Sequence, residues 1–236
     1  EVEVSADRHA ALIVHLDHNI NWSVREEQTA RRAWALRHHA SDSAAVTRHH
    51  NVANPDRRLR IGYVSSDFHY HSARELFGPV ILGHDHNAFE IFLYSTSSYA
   101  DQATKELKVS VDHWCEIEGQ SDLEIAGIIE RDAIDILVDL SGLLPGNRLD
   151  VFALKAAPIQ VTAWGYTLGT GMPQMDYIFA DPYYLPMEFR PAFAERCVDL
   201  DCVVPFHPPA MAPKVADTST RDGKSITFGS FNRVPK

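Results

Sequence analysis

The stretch IDILVDLSG, Ile134 to Gly142, decides the predicted fold. Its apolar residues run almost without interruption up to Leu140. A strand with one face in water alternates apolar and polar residues, whereas a strand covered on both faces is apolar throughout. Strands covered on both faces are typical of parallel sheets in α/β proteins, so this stretch predicts such a sheet.

Strand and helix patterns alternate on both sides of this stretch. The strands are predicted at RLRIGYVS (58–65), FEIFLYST (89–96), HWCEI (113–117), PIQVTAW (158–164) and MDYIFAD (175–181). The segments between them show helical spacing, and Ser121 with Glu124 forms a capping box that marks one helix start. This alternation predicts parallel βαβ units, that is, a doubly wound, Rossmann-like α/β sheet.

The chain begins with a segment of different character. Residues 1–52 show helical spacing without a strand signal, and Ser23 with Glu26 forms a second capping box. The breaker NPDRR (54–58) follows. We therefore predict a helical segment over residues 1–52 and an α/β lobe over residues 53–213.

The end of the chain departs from the alternating pattern. After Asp181 prolines are frequent, which indicates an irregular connection with one short strand near Val203. KSITFGSFN then starts a new strand, so we predict that residues 214–236 begin a further, incomplete domain.

Composition excludes several classes of protein. The formal net charge of −10 disfavours nucleic-acid binding, which needs clustered Lys and Arg. The sequence contains no run of about 18 apolar residues, so no membrane span is expected. The start EVEVSADRHA lacks the basic and apolar regions of a signal peptide, and only three cysteines are present. These features predict a cytoplasmic protein.

Polar and glycine-rich loops follow three of the predicted strands. They are SSDFHYH (65–71), SGLLPGN (141–147) and WGYTLGTG (164–171). Ligands of doubly wound sheets bind beyond the carboxyl ends of the strands. We therefore expect the three loops to meet at one edge of the sheet and to form the functional site.

Several motifs, in one order, resemble the O-GlcNAc transferase family, most closely its bacterial members, and the related plant SPINDLY proteins. They are RIGYVSSDF, IDILVDLSG with GNRLDVFALKAAPIQV, WGY with GTG and MDYI, and FGSFNRVPK. The resemblance covers Arg58 to Lys236 and extends more faintly into the helical start. It implies a tandem helical repeat array joined to a two-lobed GT-B glycosyltransferase. This chain would hold the end of the array, the first lobe and the start of the second, which supplies most nucleotide contacts.

The resemblance also implies catalytic residues. His71 matches the active-site histidine of the family, and a neutral imidazole can accept a proton or donate to a substrate. The alternative is a histidine on a solvent-exposed loop. Asp67 matches the family aspartate, where catalysis and bracing of a turn remain equally open. Lys236 matches the lysine that contacts the leaving diphosphate. His69 stands where many relatives have another residue, and we do not assign it to the site.

Five residues are implied to bind substrate. Gly165 resembles a residue that lines the sugar pocket, where the lack of a side chain allows close approach. Tyr166, Thr170 and Gly171 belong to the same loop and are assigned to ligand contact. His15 lies in a helical segment that matches, loosely, a family region with a histidine near the active site.

The implied reaction transfers N-acetylglucosamine from UDP-GlcNAc to a Ser or Thr hydroxyl of a protein, with inversion. The expected partners are a UDP-sugar donor, a protein or peptide acceptor and the missing second lobe, without nucleic acid, membrane or metal. Leu143 is apolar where many relatives have His or Tyr, so acceptor choice is expected to differ. Two alternatives stay open: GDP-fucose or another nucleotide sugar as donor, and a non-catalytic module that binds peptides.

Overall fold

The structure, a computed structural model, describes residues 5–39, 49–54, 56–204 and 212–214. The chain divides into two units, Glu1–Phe206 and His207–Lys236. The predicted strand in KSITFGSFN and the predicted catalytic Lys236 lie outside the described residues. Among the helices that are described, none is both long and apolar enough to cross a bilayer.

The first unit consists of helices and strands in alternation after a helical start. Its helices are α1 (Ala6–Leu16), α2 (Val24–His39), α3 (Arg74–Leu82), α4 (Gln102–Ser110), α5 (Asp122–Arg131) and α6 (Leu149–Ala153). Its strands are β1 (Leu59–Ser65), β2 (Phe89–Ser95), β3 (His113–Glu116), β4 (Ile136–Asp139), β5 (Ile159–Thr162), β6 (Tyr177–Ala180) and β7 (Arg196–Asp199). The helical start and the alternation predicted from the sequence are confirmed.

Both predicted capping boxes are present. Glu26 Oε2 accepts from the Ser23 amide at 2.8 Å, and the Glu26 amide donates to Ser23 Oγ at 3.3 Å. Ser121 and Glu124 repeat this exchange at the start of α5. Each box satisfies two amides that have no partner within the helix, which fixes where α2 and α5 begin.

The seven strands form one parallel sheet in the order β3-β2-β1-β4-β5-β6-β7. The order reverses between β1 and β4, which is the crevice where doubly wound folds bind ligands. Helices α1, α2, α5 and α6 contribute to the core on one face of the sheet, and α3 and α4 to the core on the other. The predicted doubly wound α/β sheet is confirmed.

The last strand lies earlier than predicted. The prediction near Val203 was wrong, since β7 comprises Arg196–Asp199 and pairs with β6. The Val203 amide instead donates to Asp181 Oδ2 at 2.9 Å. Strand β7 is at the edge of the sheet and mostly exposed. It carries charged residues and therefore lacks the apolar pattern by which a buried strand is predicted.

Candidate functional site

The three loops predicted to form the site meet at the carboxyl edge of the sheet. They follow β1, β4 and β5, which are neighbours in the sheet. A side chain at Gly146 would lie 3.5 Å from Ser66 Oγ, and one at Gly142 would lie 2.9 Å from Tyr166 Cβ. The loop after β4 therefore contacts the loops on both sides of it.

Asp67 lies between two histidines in the loop after β1. Its Oδ2 is 3.5 Å from His71 Nδ1, and its Oδ1 is 3.9 Å from His69 Nε2. The Asp67 amide donates to Ser65 Oγ at 3.0 Å, and Ser66 Oγ donates to Asp67 Oδ1 at 3.1 Å. The His71 side chain is 43% exposed. The group is therefore anchored through the hydrogen bonds of Asp67 with Ser65 and Ser66 and is accessible to solvent at His71.

Two tautomers of His71 fit these contacts. Nδ1 faces the Asp67 carboxylate and also lies 3.3 Å from the amide nitrogen of Ala73. A proton on Nδ1 would be directed to Asp67 and would leave Nε2 free to accept a proton. With the proton on Nε2, Nδ1 accepts from Ala73 instead. The Asp67 carboxylate would accept the Nδ1 proton in the first arrangement, whereas the hydrogen bond from the Ala73 amide forms only in the second.

His69, which the sequence did not assign to the site, lies in this group. Its ring meets Tyr99 edge to face at a centroid distance of 5.1 Å and lies 5.7 Å from the ring of His71. The neighbouring Tyr70 amide donates to Asp101 Oδ2 at 2.8 Å, while Asp101 also caps α4. The loops after β1 and β2 are therefore joined, and His69 has a defined position beside Asp67.

Gly165 and Tyr166 are placed by contacts within the protein. A Cβ atom at Gly165 would overlap the carbonyl oxygen of Leu140, so a glycine is required for these two backbones to approach each other. The half-buried Tyr166 accepts a hydrogen bond from Arg31 Nη2 at 3.1 Å through its hydroxyl. The structure accounts for both residues by packing, and their contact with substrate stays a prediction.

Thr170 and Gly171 form a buried turn beside Glu195. Glu195 Oε1 accepts from the Thr170 amide at 2.6 Å, from the Thr170 hydroxyl at 2.6 Å and from the Gly171 amide at 3.1 Å. Gly171 has a φ of +73°, and a side chain there would come within 2.6 Å of the Arg31 backbone. The turn is thus packed between Glu195 and helix α2.

Comparison with known proteins decides the family. The model of glycosyl transferase family 41 matches residues 5–202, which is most of the chain. The chain belongs to glycosyl transferase family 41. A mutant of the Thermobaculum terrenum O-GlcNAc transferase has a similar structure, with a TM-score of 0.82 and 34% identity over 90% of this chain and 41% of that chain.

Curated relatives agree with this family assignment. The probable UDP-N-acetylglucosamine–peptide N-acetylglucosaminyltransferase SPINDLY of Arabidopsis thaliana is 34% identical over 79% of this chain. The corresponding probable transferase SEC of the same plant is 35% identical over 61%, and the Caenorhabditis elegans transferase is 36% identical over 59%. The chain spans 21%, 15% and 12% of the lengths of these relatives.

Helix α1 of this family 41 chain borders a cavity next to the site. The cavity has a volume of about 360 Å³ and is lined by Asp7, Arg8, Ala11, Leu143, Pro145, Gly146 and Asn147. His15 is exposed and does not line the cavity. It lies one helical turn beyond Ala11, which does line it, so it is close to the cavity. Within the described residues, no three His, Cys, Asp or Glu side chains are grouped as metal ligands.

Two carboxylates that hold the site loops were missed by sequence reasoning. Asp139 is buried at the end of β4, where it accepts from the Ser141 and Gly142 amides and from the Thr162 hydroxyl. Burial raises the pKa of Asp139. The sequence could have indicated the role of Asp139, because an acidic residue at the end of an apolar strand is unusual. Glu195 had no such signal, because its role depends on a turn that lies 25 residues earlier.

Proposed function

We propose that the chain is the first lobe of a transferase that moves N-acetylglucosamine from UDP-GlcNAc to Ser or Thr hydroxyls of proteins, with inversion. Family membership and the names of the relatives support the reaction. The observation that carries it is the exposed His71 held beside Asp67 at the carboxyl edge of the sheet. A general base must be accessible to the acceptor and directed by a partner, and this pair has both properties.

In the proposed mechanism the acceptor hydroxyl attacks the anomeric carbon on the side opposite UDP. The new carbon–oxygen bond forms as the bond to the diphosphate oxygen breaks, and UDP leaves with the electron pair. His71 Nε2 takes or relays the hydroxyl proton, while Asp67 faces Nδ1 and stabilises the resulting charge. Lys236 is proposed to stabilise the departing diphosphate electrostatically.

The proposed reaction requires a second lobe and an acceptor in addition to the described residues. A second lobe beyond the first unit would supply most of the nucleotide contacts, and the cavity beside α1 would receive part of the acceptor. Gly165, Tyr166, Thr170, Gly171 and His15 are proposed to shape the substrate site. The proposed reaction uses no metal and no nucleic acid, and we propose that the protein acts in the cytoplasm.

The proposal predicts that His71→Ala in the complete protein lowers kcat/KM for transfer from UDP-GlcNAc. The expected loss is about 10²- to 10⁴-fold, which is typical of general acid–base catalysis. Steady-state transfer to a protein acceptor measures it. His86→Ala is the control, because His86 precedes β2 at the opposite edge of the sheet, where it pairs with Asp112.

The results separate the alternatives. Unchanged turnover in His71→Ala would show that His71 is not the base. If the wild-type protein transfers sugar from GDP-fucose and not from UDP-GlcNAc, the donor is GDP-fucose. Peptide binding without transfer from either donor would favour a non-catalytic binding module.

A further inference from the structure

Glu195 is a buried carboxylate that accepts hydrogen bonds from two backbone amides and a hydroxyl of the loop after β5. It is 3% exposed, and none of the ion pairs among the described residues involves it. Among the described residues, its Oε1 accepts three hydrogen bonds, all from Thr170 and Gly171, while its buried Oε2 has no hydrogen-bond partner. Burying a carboxylate is costly, so these three charge-assisted bonds must offset much of that cost.

The turn that Glu195 binds is also held by helix α2. Arg31 Nε donates to the carbonyl oxygen of Gly169 at 3.2 Å, and Gln28 Nε2 donates to that of Leu168 at 2.7 Å. Both side chains come from α2 and are fully buried. Residues 168–171 are therefore hydrogen-bonded both to α2 and to the segment that leads into β7.

The Thr170 hydroxyl has no hydrogen left for a ligand. Its only proton is directed to Glu195 Oε1, and its oxygen accepts from the Met172 amide at 3.2 Å. Thr170 is fully buried. A donor sugar or phosphate would have to break the bond to Glu195 before the hydroxyl could donate to it.

We propose that Glu195 is a positioning residue that fixes the turn at 168–171, and that the Thr170 hydroxyl acts through Glu195 instead of contacting the donor. This inference rests on the proposed function, because the turn belongs to the loop assigned to substrate binding. It changes the role of Thr170 from a substrate contact to a structural support of the pocket wall.

A double-mutant cycle in the complete protein tests the inference. Thr170→Val removes the hydroxyl at constant shape, and Glu195→Gln removes the charge. Each is expected to raise the KM for UDP-GlcNAc about 5- to 10-fold, the equivalent of about one hydrogen bond, with a smaller effect on kcat. Thr170→Ser is expected to restore the KM. The double variant should resemble Glu195→Gln alone, because groups in one hydrogen-bond network are not additive. Multiplicative effects would overturn the inference, since they indicate that Thr170 contacts the donor independently.

Two further measurements keep the outcome distinct from that of the proposed function. Glu188→Gln is the matched control, because Glu188 is an exposed glutamate in the same segment and should leave KM unchanged. Amide hydrogen exchange at residues 170 and 171 needs no activity: Glu195→Gln, or Glu195→Asp if that variant does not fold, should accelerate it about 10-fold, the equivalent of about one hydrogen bond. Unchanged exchange would overturn the inference, whereas a wild-type protein without transfer would overturn only the proposed function.

Discussion

Acidic side chains at the carboxyl edge of the sheet have two different environments. Asp67 is partly exposed and faces two histidines. Asp139 and Glu195 are buried and accept from the amides of the loops beside them. The first arrangement suits proton transfer and the second suits support of a loop, so residue type alone does not separate catalytic acids from structural ones.

Asp139 is expected to be essential for stability. Asp139→Ala would leave the Ser141 and Gly142 amides and the Thr162 hydroxyl buried without an acceptor, which should cost about 3–5 kcal/mol of unfolding free energy. Because burial raises the pKa of Asp139, its ionised form is disfavoured, and the neutral isostere Asp139→Asn should cost less. Urea unfolding at pH 7 measures both, and an alanine variant within 1 kcal/mol of wild type (about the size of one hydrogen bond) would argue against this role.

Arg31 is expected to stabilise the fold through its buried pair with Asp17. The Nη2–Oδ2 distance is 2.7 Å, and the two side chains are 0% and 4% exposed. Arg31→Met would leave Asp17 buried and unpaired, at a cost of about 3–5 kcal/mol. Adding Asp17→Asn should recover part of that loss in the same urea titration. If the second substitution makes the loss larger, the pairing does not explain the effect.

Helices α1 and α2 are joined at a pair of histidines. His9 Nδ1 and His38 Nε2 are 3.1 Å apart, a hydrogen bond that needs one of the two nitrogens to be unprotonated. Trp34 Nε1 also donates to the carbonyl oxygen of Ala6, at 3.0 Å. Because α1 lines the cavity beside the site, its packing on α2 sets one wall of that cavity.

The stability of this helix pair is expected to fall in mild acid. Burial, and to a smaller extent the Arg37 guanidinium, lower the pKa of His9. The pKa of His38 is lowered by burial and then by His9, Arg37 and His39, whereas Asp150 acts in the opposite direction. The unfolded chain therefore binds more protons below pH 6.5, and the free energy of unfolding decreases as pH falls from there through the folded-state values.

Urea unfolding between pH 7 and pH 5 tests this expectation. His9→Phe keeps an aromatic ring and removes one titrating group, so its unfolding free energy should depend less on pH than that of the wild type. His18→Phe is the control, since His18 is exposed just beyond α1, where its Nδ1 lies 3.1 Å from the carbonyl oxygen of Val14. Equal pH dependence in wild type and His9→Phe would show that the pair does not couple stability to pH.

Six of the seven strands of the sheet could be predicted from the sequence, whereas β7 and much of the site could not. The apolar run of β4 and the alternation around it determine a parallel sheet, and the sheet determines which loops meet. Strand β7 was misplaced because an edge strand needs no apolar face. The contacts of Arg31 and Glu195 with residues 168–171 were not predictable, because they join segments that are distant in sequence and carry no periodic pattern.

The helical start and the α/β lobe, predicted as separate parts, lie in one unit of the molecule. Besides the shared core, three side chains of α2 join the two parts: Gln28 and Arg31 bind the loop after β5, and Arg32 Nη1 donates to the carbonyl oxygen of Ala192 at 2.6 Å. The family match includes both parts, over residues 5–202. Helix α2 is therefore part of the support of the proposed substrate site.

The intact mass of a protein acceptor, measured after incubation with the complete protein and UDP-GlcNAc, tests the proposed activity most directly. Wild type and His71→Ala are compared under the same conditions. We predict that the wild type adds the mass of one N-acetylhexosamine per modified hydroxyl and that His71→Ala adds almost none. An unmodified acceptor with the wild type, or equal modification by both proteins, would contradict a transferase whose base is His71.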